Sequence, residues 1–340
     1  MKRSYLRKGQ WKHPGLSNPN QGGSSPDAAK IEASYIGFGT LLNKRFGRPD
    51  TLWRNFTKHF ESNDTITRQM WLDSVPKMRL WEGDKVTSML RAEALLIATR
   101  PHEASIRIPK QDIINDRWGL WSDGVAGLGD SYNNHLDEVT AGMLVAGVAG
   151  TALGTTYDGQ NLIDTDHTFL GNGTGATYSN RVNGAFSATT YQSAWNLYLS
   201  MKNEHGLPIN SVQGRRMRLL HGPANRNAVR TVLQQENIVG QTQTNLDKGT
   251  AEPVLTQWLT AGAQYTVNGV TVTATGTEWF LIPEGSTAII LQRKRGPEFM
   301  SVDTPNTEFV FRTGMYLYGI ESEDGAVYGL PQEIVGGPGA

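Results

Sequence analysis

The 340-residue chain contains no cysteine, which excludes disulfides, thiolate metal sites and a cysteine nucleophile. It has no net charge either, since 32 Lys and Arg balance 32 Asp and Glu. A protein that gripped DNA along its backbone would carry a basic excess or a basic stripe. Basic residues cluster here only near the N-terminus and around Arg293. Zero net charge also lets many copies crowd together without long-range repulsion. Long apolar runs are missing. Met1-Lys2-Arg3 is not followed by the apolar run of about 7–15 residues that a secretory signal needs. The longest apolar stretch, Ala141 to Leu153, falls short of the roughly 20 residues that cross a bilayer. The expectation is a soluble protein that works in the compartment where it is made, with no membrane partner. Apolar residues make up 38% without glycine, and counting the glycines brings the share back to an ordinary value. Thirty-eight glycines assign much of the backbone to loops, tight turns or close contacts.

What is there begins with a polar arm over residues 1–34. Lys2, Arg3, Arg7, Lys8 and Lys12 precede Pro14-Gly15, and Gly22-Gly23-Ser24-Ser25 follows. Such a stretch cannot bury enough apolar surface to fold alone. Tyr5, Leu6 and Trp11 supply anchors for a neighbouring surface. Ile36 to Phe60 carries apolar residues at helical spacings. Val75 to Trp81 and Ala94 to Ile108 read as two extended arms, the second alternating with a period of two, around a charged tip at Glu82-Gly83-Asp84-Lys85. This long hairpin has few residues for a core of its own.

The strongest local signal follows. Trp118, Trp121, Val125, Leu128, Tyr132, Leu136, Val139 and Met143 recur at steps of three and four, one apolar stripe on a helix of about 30 residues, or about 45 Å. Asp112, Asn115 and Asp116 offer caps. Gly119, Gly124, Gly127, Gly129 and Gly142 each weaken it by up to about 1 kcal/mol, so packing must hold it, and the glycines mark close approach of strands or neighbouring subunits. Thr156 to Phe186 is loop-like. Helices are expected over Thr190 to Glu204 and Pro223 to Gln235, with a buried strand at Met217 to His221. Asn268-Gly269 marks a tight hairpin. Trp279 to Ile282, Ala288 to Gln292, Glu298 to Val302 and Phe309 to Ile320 complete a strand-rich end. This order indicates α+β architecture rather than a regular alternation.

Chemistry-bearing constellations are few. Asp158, Asp164, Asp166 and His167 could bind a divalent metal as oxygen and nitrogen ligands, and a metal-dependent hydrolase is the reading this cluster offers. The same residues also make good turns, because Asp and Asn side chains bond their own backbone, and the expectation is no metal and no cofactor. Gly171 to Gly175 lacks the Lys-Ser or Lys-Thr of a phosphate loop. No Gly-x-Ser-x-Gly or His-Glu-x-x-His occurs, and no catalytic triad or carboxylate pair assembles. An enzyme is not expected.

Tyr157-Asp158-Gly159-Gln160-Asn161, with Asp164, His167 and a Gly-Thr-Gly loop, resembles the Mu-type bacteriophage major head subunit family. Trp81-x-Gly83, then Ala98, Glu103 and Asp112, agree with it upstream. Ile289 to Pro297, Glu298-Phe299, Phe309-Val310-Phe311, Tyr318-Gly319, Gly325 and Tyr328-Gly329 agree downstream. The resemblance runs in order over roughly residues 60–332. It implies the Hong Kong 97-like capsid fold, with an N-terminal arm, an extended E-loop, a peripheral (P) domain carrying a long spine helix, and an axial (A) domain. The implied division is an arm over 1–50, the start of the P domain over 51–74 and the E-loop over 75–111. The P domain would continue over 112–187 with its spine helix at 112–147. The A domain would occupy most of 188–295, and 296–340 would hold the long P-domain strands and the tail.

The function so implied is that of a tailed-phage major capsid protein that assembles with itself, in hexamers and pentamers, into an icosahedral head. It would be made into virions in the host cytoplasm, meet scaffold, portal and decoration proteins, and hold double-stranded DNA by enclosure. Trp11, Trp81, Lys85, Arg91, Arg100, Arg293, Arg295 and Arg312 are the candidate intersubunit contacts. An encapsulin-like cellular nanocompartment shell shares the fold and stays open as an alternative.

Overall fold

The computed structural model describes residues 40–42, 44–48, 50–72, 78, 80, 92–115, 120–150, 153–169, 177–203, 205–210, 215–236, 244–304 and 307–339. The chain divides into two compact units. One comprises Phe46–Glu103, Asp130–Glu298 and Glu321–Ala340, and the other Met1–Arg45, Ala104–Gly129 and Phe299–Ile320.

In the larger unit a short helix α1 (Leu52–Phe56) precedes strand β1 (Lys58–Glu61), then the ribbon strands β2 (Ile66–Leu72) and β3 (Ala92–Ala98). Strand β4 (Arg100–Pro109) leads to helix α2 (Lys110–Asn115) and the long helix α3 (Leu120–Ala149). The 30-residue length of α3 equals the expected one, and two of the expected capping residues, Asp112 and Asn115, lie within α2. Residues 116–119, with Trp118 and Gly119, lie outside the described residues. Val125, Leu128, Tyr132, Leu136 and Met143 of the apolar stripe are buried.

After short strands β5 (His167–Thr168) and β6 (Thr177–Tyr178) comes helix α4 (Ala188–Ser200). Its start is fixed by a capping box in which Ser187 and Thr190 serve each other's backbone N–H. Strand β7 (Met217–His221), helix α5 (Arg226–Leu233), β8 (Glu252–Leu255), the hairpin β9 (Gln264–Val267) and β10 (Val270–Thr273), and β11 (Trp279–Pro283) follow. The hairpin turns on Asn268 and Gly269, both at positive φ, 52° and 85°, as the Asn-Gly pair demands.

A four-stranded sheet, in the order β14-β11-β7-β8, is the centre of this unit; β14 is Val335–Gly337. β11 runs antiparallel to β7 and β14, and β7 is parallel to β8. All of β11 is buried because helices or hairpins cover both faces. Trp279 and Leu281 point into a cluster with Tyr191, Tyr198, Val229 and Val232 of α4 and α5. Phe280 and Ile282 point the other way, to Ala141, Leu144 and Val145 of α3 and Tyr265 and Val267 of the hairpin. At Gly142 a Cβ would meet Val267 Cγ2 at 2.6 Å; the hairpin lies directly on the helix backbone, which is why a glycine interrupts it there.

A second four-stranded sheet is built on two 14-residue strands, β12 (Ile289–Val302) and β13 (Met315–Tyr328), in the order β1-β12-β13-β4. β1 joins β12 in parallel, with Lys58 opposite Ile290. In the smaller unit Phe299 and Tyr318 stack with ring centroids 6.0 Å apart, and the Lys110 N–H donates to the Gly314 carbonyl at 2.9 Å.

Two expectations are corrected here. Ala94 to Ile108 is not one arm of a hairpin: it breaks at Thr99, with β3 pairing to β2 and β4 joining the long-strand sheet. Phe309 to Thr313 is helical rather than extended. In this helix, α6 (Glu308–Thr313), the Thr307 side chain caps the start by accepting the Val310 N–H, and Gly314 at φ 66° ends it. The Val75 to Trp81 arm and the Gly171 to Gly175 loop lie outside the described residues, apart from Met78 and Leu80.

Candidate functional site

The acidic block around His167 folds into a fastened turn. His167 is fully buried, and its Nδ1 lies 2.9 Å from Asp158 Oδ2. The same oxygen accepts the Thr168 N–H at 2.9 Å. Asp158 Oδ1 accepts from the Thr156 hydroxyl at 2.5 Å and the Gln160 N–H at 3.2 Å. Burial works to raise the Asp158 pKa, but the bonds from His167 and Thr156 outweigh it and hold the carboxyl below its ordinary value. Asp164 takes the Asn161 amide at 3.0 Å and the Thr165 N–H at 2.7 Å, and Asp166 takes the Gln160 amide at 3.2 Å. The carboxylates are directed at local donors, and among the described residues no group of three or more His, Asp or Glu is placed to hold a metal ion. The imidazole stacks on Tyr178 of β6 at 5.3 Å, which ties the turn to that strand.

The second site is a surface. β2 and β3 pair antiparallel from Ile66↔Ala98 to Leu72↔Ala92. Since side chains alternate, Ile66 and Met70 share one face of this ribbon with Leu96. All three are exposed, at 63%, 66% and 59%, whereas Ile97 on the opposite face is 1% exposed. A two-stranded ribbon is marginal alone, and clustered apolar side chains of this size on a surface mark a place where another surface docks.

Beneath the ribbon, β12 and β13 carry a ladder of ion pairs: Arg293–Asp324 at 3.3 Å, Lys294–Glu323 at 2.9 Å and Arg295–Glu321 at 3.3 Å. The first rung is the most buried of the three, with Asp324 buried and Arg293 half-buried. Arg293 also bonds the Tyr132 hydroxyl and lies over the rings of Trp53 and Tyr132, at 5.6 and 5.4 Å. Burial raises the Asp324 pKa despite Arg293. His59 is pushed down to about 4, first by burial and then by Arg293 and Arg54.

Of the expected contact residues, Trp11, Trp81, Lys85 and Arg91 lie outside the described residues. Arg100 is exposed at the start of β4. Arg293 is occupied inside its own subunit. Arg295 is 43% exposed and held by Glu321; Arg312 is 74% exposed and pairs with Glu308 one turn away. The ribbon strand Ile66–Leu72 went unrecognised, although the apolar residues Ile66, Met70 and Leu72 repeat at even spacing there.

This architecture, with long paired strands, a 30-residue helix and a two-stranded ribbon, is the α+β fold of Hong Kong 97-like capsid proteins. Over 86% of this chain and 89% of that one, it matches the capsid structure of the cyanophage P-SCSP1u, with a TM-score of 0.60 at 11% identity. The chain belongs to the family described as the Mu-like prophage major head subunit gpT, whose model matches residues 31–191 and 260–338. It is 25% identical over 175 residues to the Mu-like prophage FluMu major head subunit of Haemophilus influenzae, a match covering 51% of this chain and 55% of that protein. It is 28% identical over 108 residues to the major capsid protein of Escherichia phage Mu, covering 31% of this chain and 34% of that protein. The matches thus span about half and one third of the length of those relatives.

Proposed function

We propose that this chain is the major capsid protein of a tailed bacteriophage and assembles with copies of itself into the icosahedral head. The observation that carries the reading is the ribbon face with Ile66, Met70 and Leu96, which is left to solvent in one copy. Fully burying an exposed side chain of this kind is worth about 1.5–3 kcal/mol, and a neighbouring copy would supply the larger part of that for each of the three. In rings and closed shells each contact is repeated by symmetry, so modest contacts suffice.

In this reading residues 1–50 are the N-terminal arm and the ribbon is the root of the E-loop, whose charged tip with Lys85 and Arg91 reaches across a neighbour. The P domain is built on α3 and the long strands, and the A domain lies mainly within 188–295. Hexamers and pentamers are the assembly units, the virion is the final location, and assembly takes place in the host cytoplasm. Scaffold, portal and decoration proteins are the further partners, with DNA held by enclosure. Among the described residues no helix is long and apolar enough to cross a membrane.

Electron microscopy of the expressed protein tests this, with Leu96→Glu as the control. The wild type is expected to form shells, and Leu96→Glu to stay unassembled with an unchanged melting temperature. Shells of Leu96→Glu indistinguishable from wild type would remove the ribbon face from the interface.

A further inference from the structure

The ribbon joins its unit through two connections, the segment 62–65 before β2 and Thr99 after β3, and each is tied to a different long strand. On the incoming side three consecutive residues of β12 act together. The Arg293 carbonyl accepts the Ser62 N–H at 3.0 Å, the fully buried Gln292 donates its amide to the Asp64 carbonyl at 2.9 Å, and the Lys294 ammonium donates to the Thr65 hydroxyl at 2.6 Å. On the outgoing side β13 does the holding. Glu323 Oε1 accepts the Thr99 hydroxyl at 2.9 Å. Gly325 runs so close beneath that a Cβ there would sit 2.4 Å from the Ala98 carbonyl oxygen.

These ties close on themselves. Lys294 bonds Thr65, the Thr65 carbonyl accepts the Thr99 N–H at 3.0 Å, Thr99 bonds Glu323, and Glu323 pairs with Lys294 at 2.9 Å. The direction of a two-stranded ribbon is fixed by whatever holds its ends, because the ribbon has little stability of its own. Three of these four bonds involve an ionised group, which makes them short and directional. The two side chains are 29% and 15% exposed, so salt screens them only in part.

We infer that the ring Lys294–Thr65–Thr99–Glu323 is an elbow that sets the pitch of the ribbon within each subunit before a neighbour is met, and thereby the curvature of the shell. Lys294 and Glu323 are its positioning residues. The inference rests on the capsid reading, and it goes beyond that reading in placing the control of shell geometry inside one subunit.

The test uses the full chain and the variants Lys294→Met, Glu323→Gln, Thr99→Val and Lys294→Arg, with two readouts. The first is amide exchange over residues 92–103 in the unassembled protein. Lys294→Met and Glu323→Gln should accelerate exchange at the ribbon root on the order of tenfold, Thr99→Val should do so to a smaller degree, and Lys294→Arg, which keeps the charge, should stay near wild type. The second is the distribution of particle diameters by electron microscopy, which a merely structural residue would leave as one sharp population. A broadened distribution in the first two variants, narrowed again by Lys294→Arg, is the expected result. Wild-type exchange together with a single wild-type diameter in Lys294→Met and Glu323→Gln would overturn the inference. If those two do not fold, Thr99→Val, which exchanges a hydroxyl for a methyl of similar size, decides by its smaller acceleration of exchange: wild-type exchange in it would overturn the inference. If the wild type forms no particles the capsid reading fails, and the exchange measurement still decides whether the elbow exists.

Discussion

The Asp137 carboxylate, in the middle of α3, accepts the backbone N–H of Trp53 at 2.9 Å. Thr51, at the N-cap position of α1, gives that helix no side-chain bond, so the long helix supplies the cap from 84 positions away. Negative charge at a helix start is favourable, and here it also fastens the Trp53 ring beneath Arg293.

Replacing Asp137 separates the cap from its cost. Burial raises the Asp137 pKa, opposed by the N–H groups of Trp53 and Leu52. A carboxyl with a raised folded pKa takes up its proton more readily in the folded state. Its penalty at neutral pH is therefore relieved as pH falls through the folded pKa toward the ordinary 3.8. Asp137→Ala should lose about 1–3 kcal/mol by stranding the Trp53 N–H. Asp137→Asn should lose less and should lack that pH dependence. Denaturant unfolding at several acidic pH values distinguishes the two.

The His102 and His135 rings lie 4.2 Å apart, one on β4 and the other on α3. Burial and then the other ring push His135 down to about 4. Burial, with help from Arg100 and against Asp324, lowers His102. Both stay neutral in the folded state where the unfolded chain takes up protons, so stability should fall as pH drops from 6.5 toward about 4. The His135 share is at most about 3 kcal/mol, less screening at the partly exposed ring. His135→Leu should flatten this stretch of the stability profile; an equally steep profile in the variant would place the effect elsewhere.

Glycines of α3 should respond in opposite directions. At Gly127 a Cβ would meet nothing within 4 Å, and Gly127→Ala should stabilise the unassembled subunit by up to about 1 kcal/mol. Gly142→Ala drives a methyl into Val267 and should cost about 1–3 kcal/mol. Thermal melts of the two variants read both signs.

The His167 turn gives a test of the metal reading. Asp158→Ala should destabilise by about 2–4 kcal/mol, because it strands the imidazole and the Thr168 N–H together. Asp166→Ala, which gives up an exposed hydrogen bond from the Gln160 amide, should change stability by less than about 0.5 kcal/mol. Added Mg, Mn or Zn should not shift the melting temperature of either. A metal-dependent rise lost in Asp166→Ala would revive a metal site there.

The sequence made the long helix legible because seven apolar residues from Trp121 to Met143 repeat along it with one period, a signal that its glycines do not interrupt. It made the Asn268-Gly269 hairpin legible because few dipeptides suit two positive φ values. The break at Thr99 was not legible. Alternation continues straight through it, and only the partners of the two halves differ, β2 for one and the long-strand sheet for the other. Helix α6 was hidden for a related reason: Phe309-Val310-Phe311 has the composition of a strand, and the Thr307 cap and Gly314 stop are single residues on either side. Arg293 looked like a surface cation within Gln292-Arg293-Lys294-Arg295. Its partners Tyr132, Asp324 and Trp53 are far away in sequence, and no local pattern announces them. Asp137 was passed over likewise, since a carboxylate in a helix is ordinary until its recipient is known.

The bare face of the ribbon has a consequence for the life of the free subunit. A newly folded copy carries an adhesive strip of isoleucine, methionine and leucine that cannot tell a correct neighbour from an incorrect one by hydrophobicity alone. The supply of loose copies must therefore be matched to the rate at which shells close. In overproduction the first product to suffer should be the fraction that waits, which clumps through the ribbon while its interior remains folded.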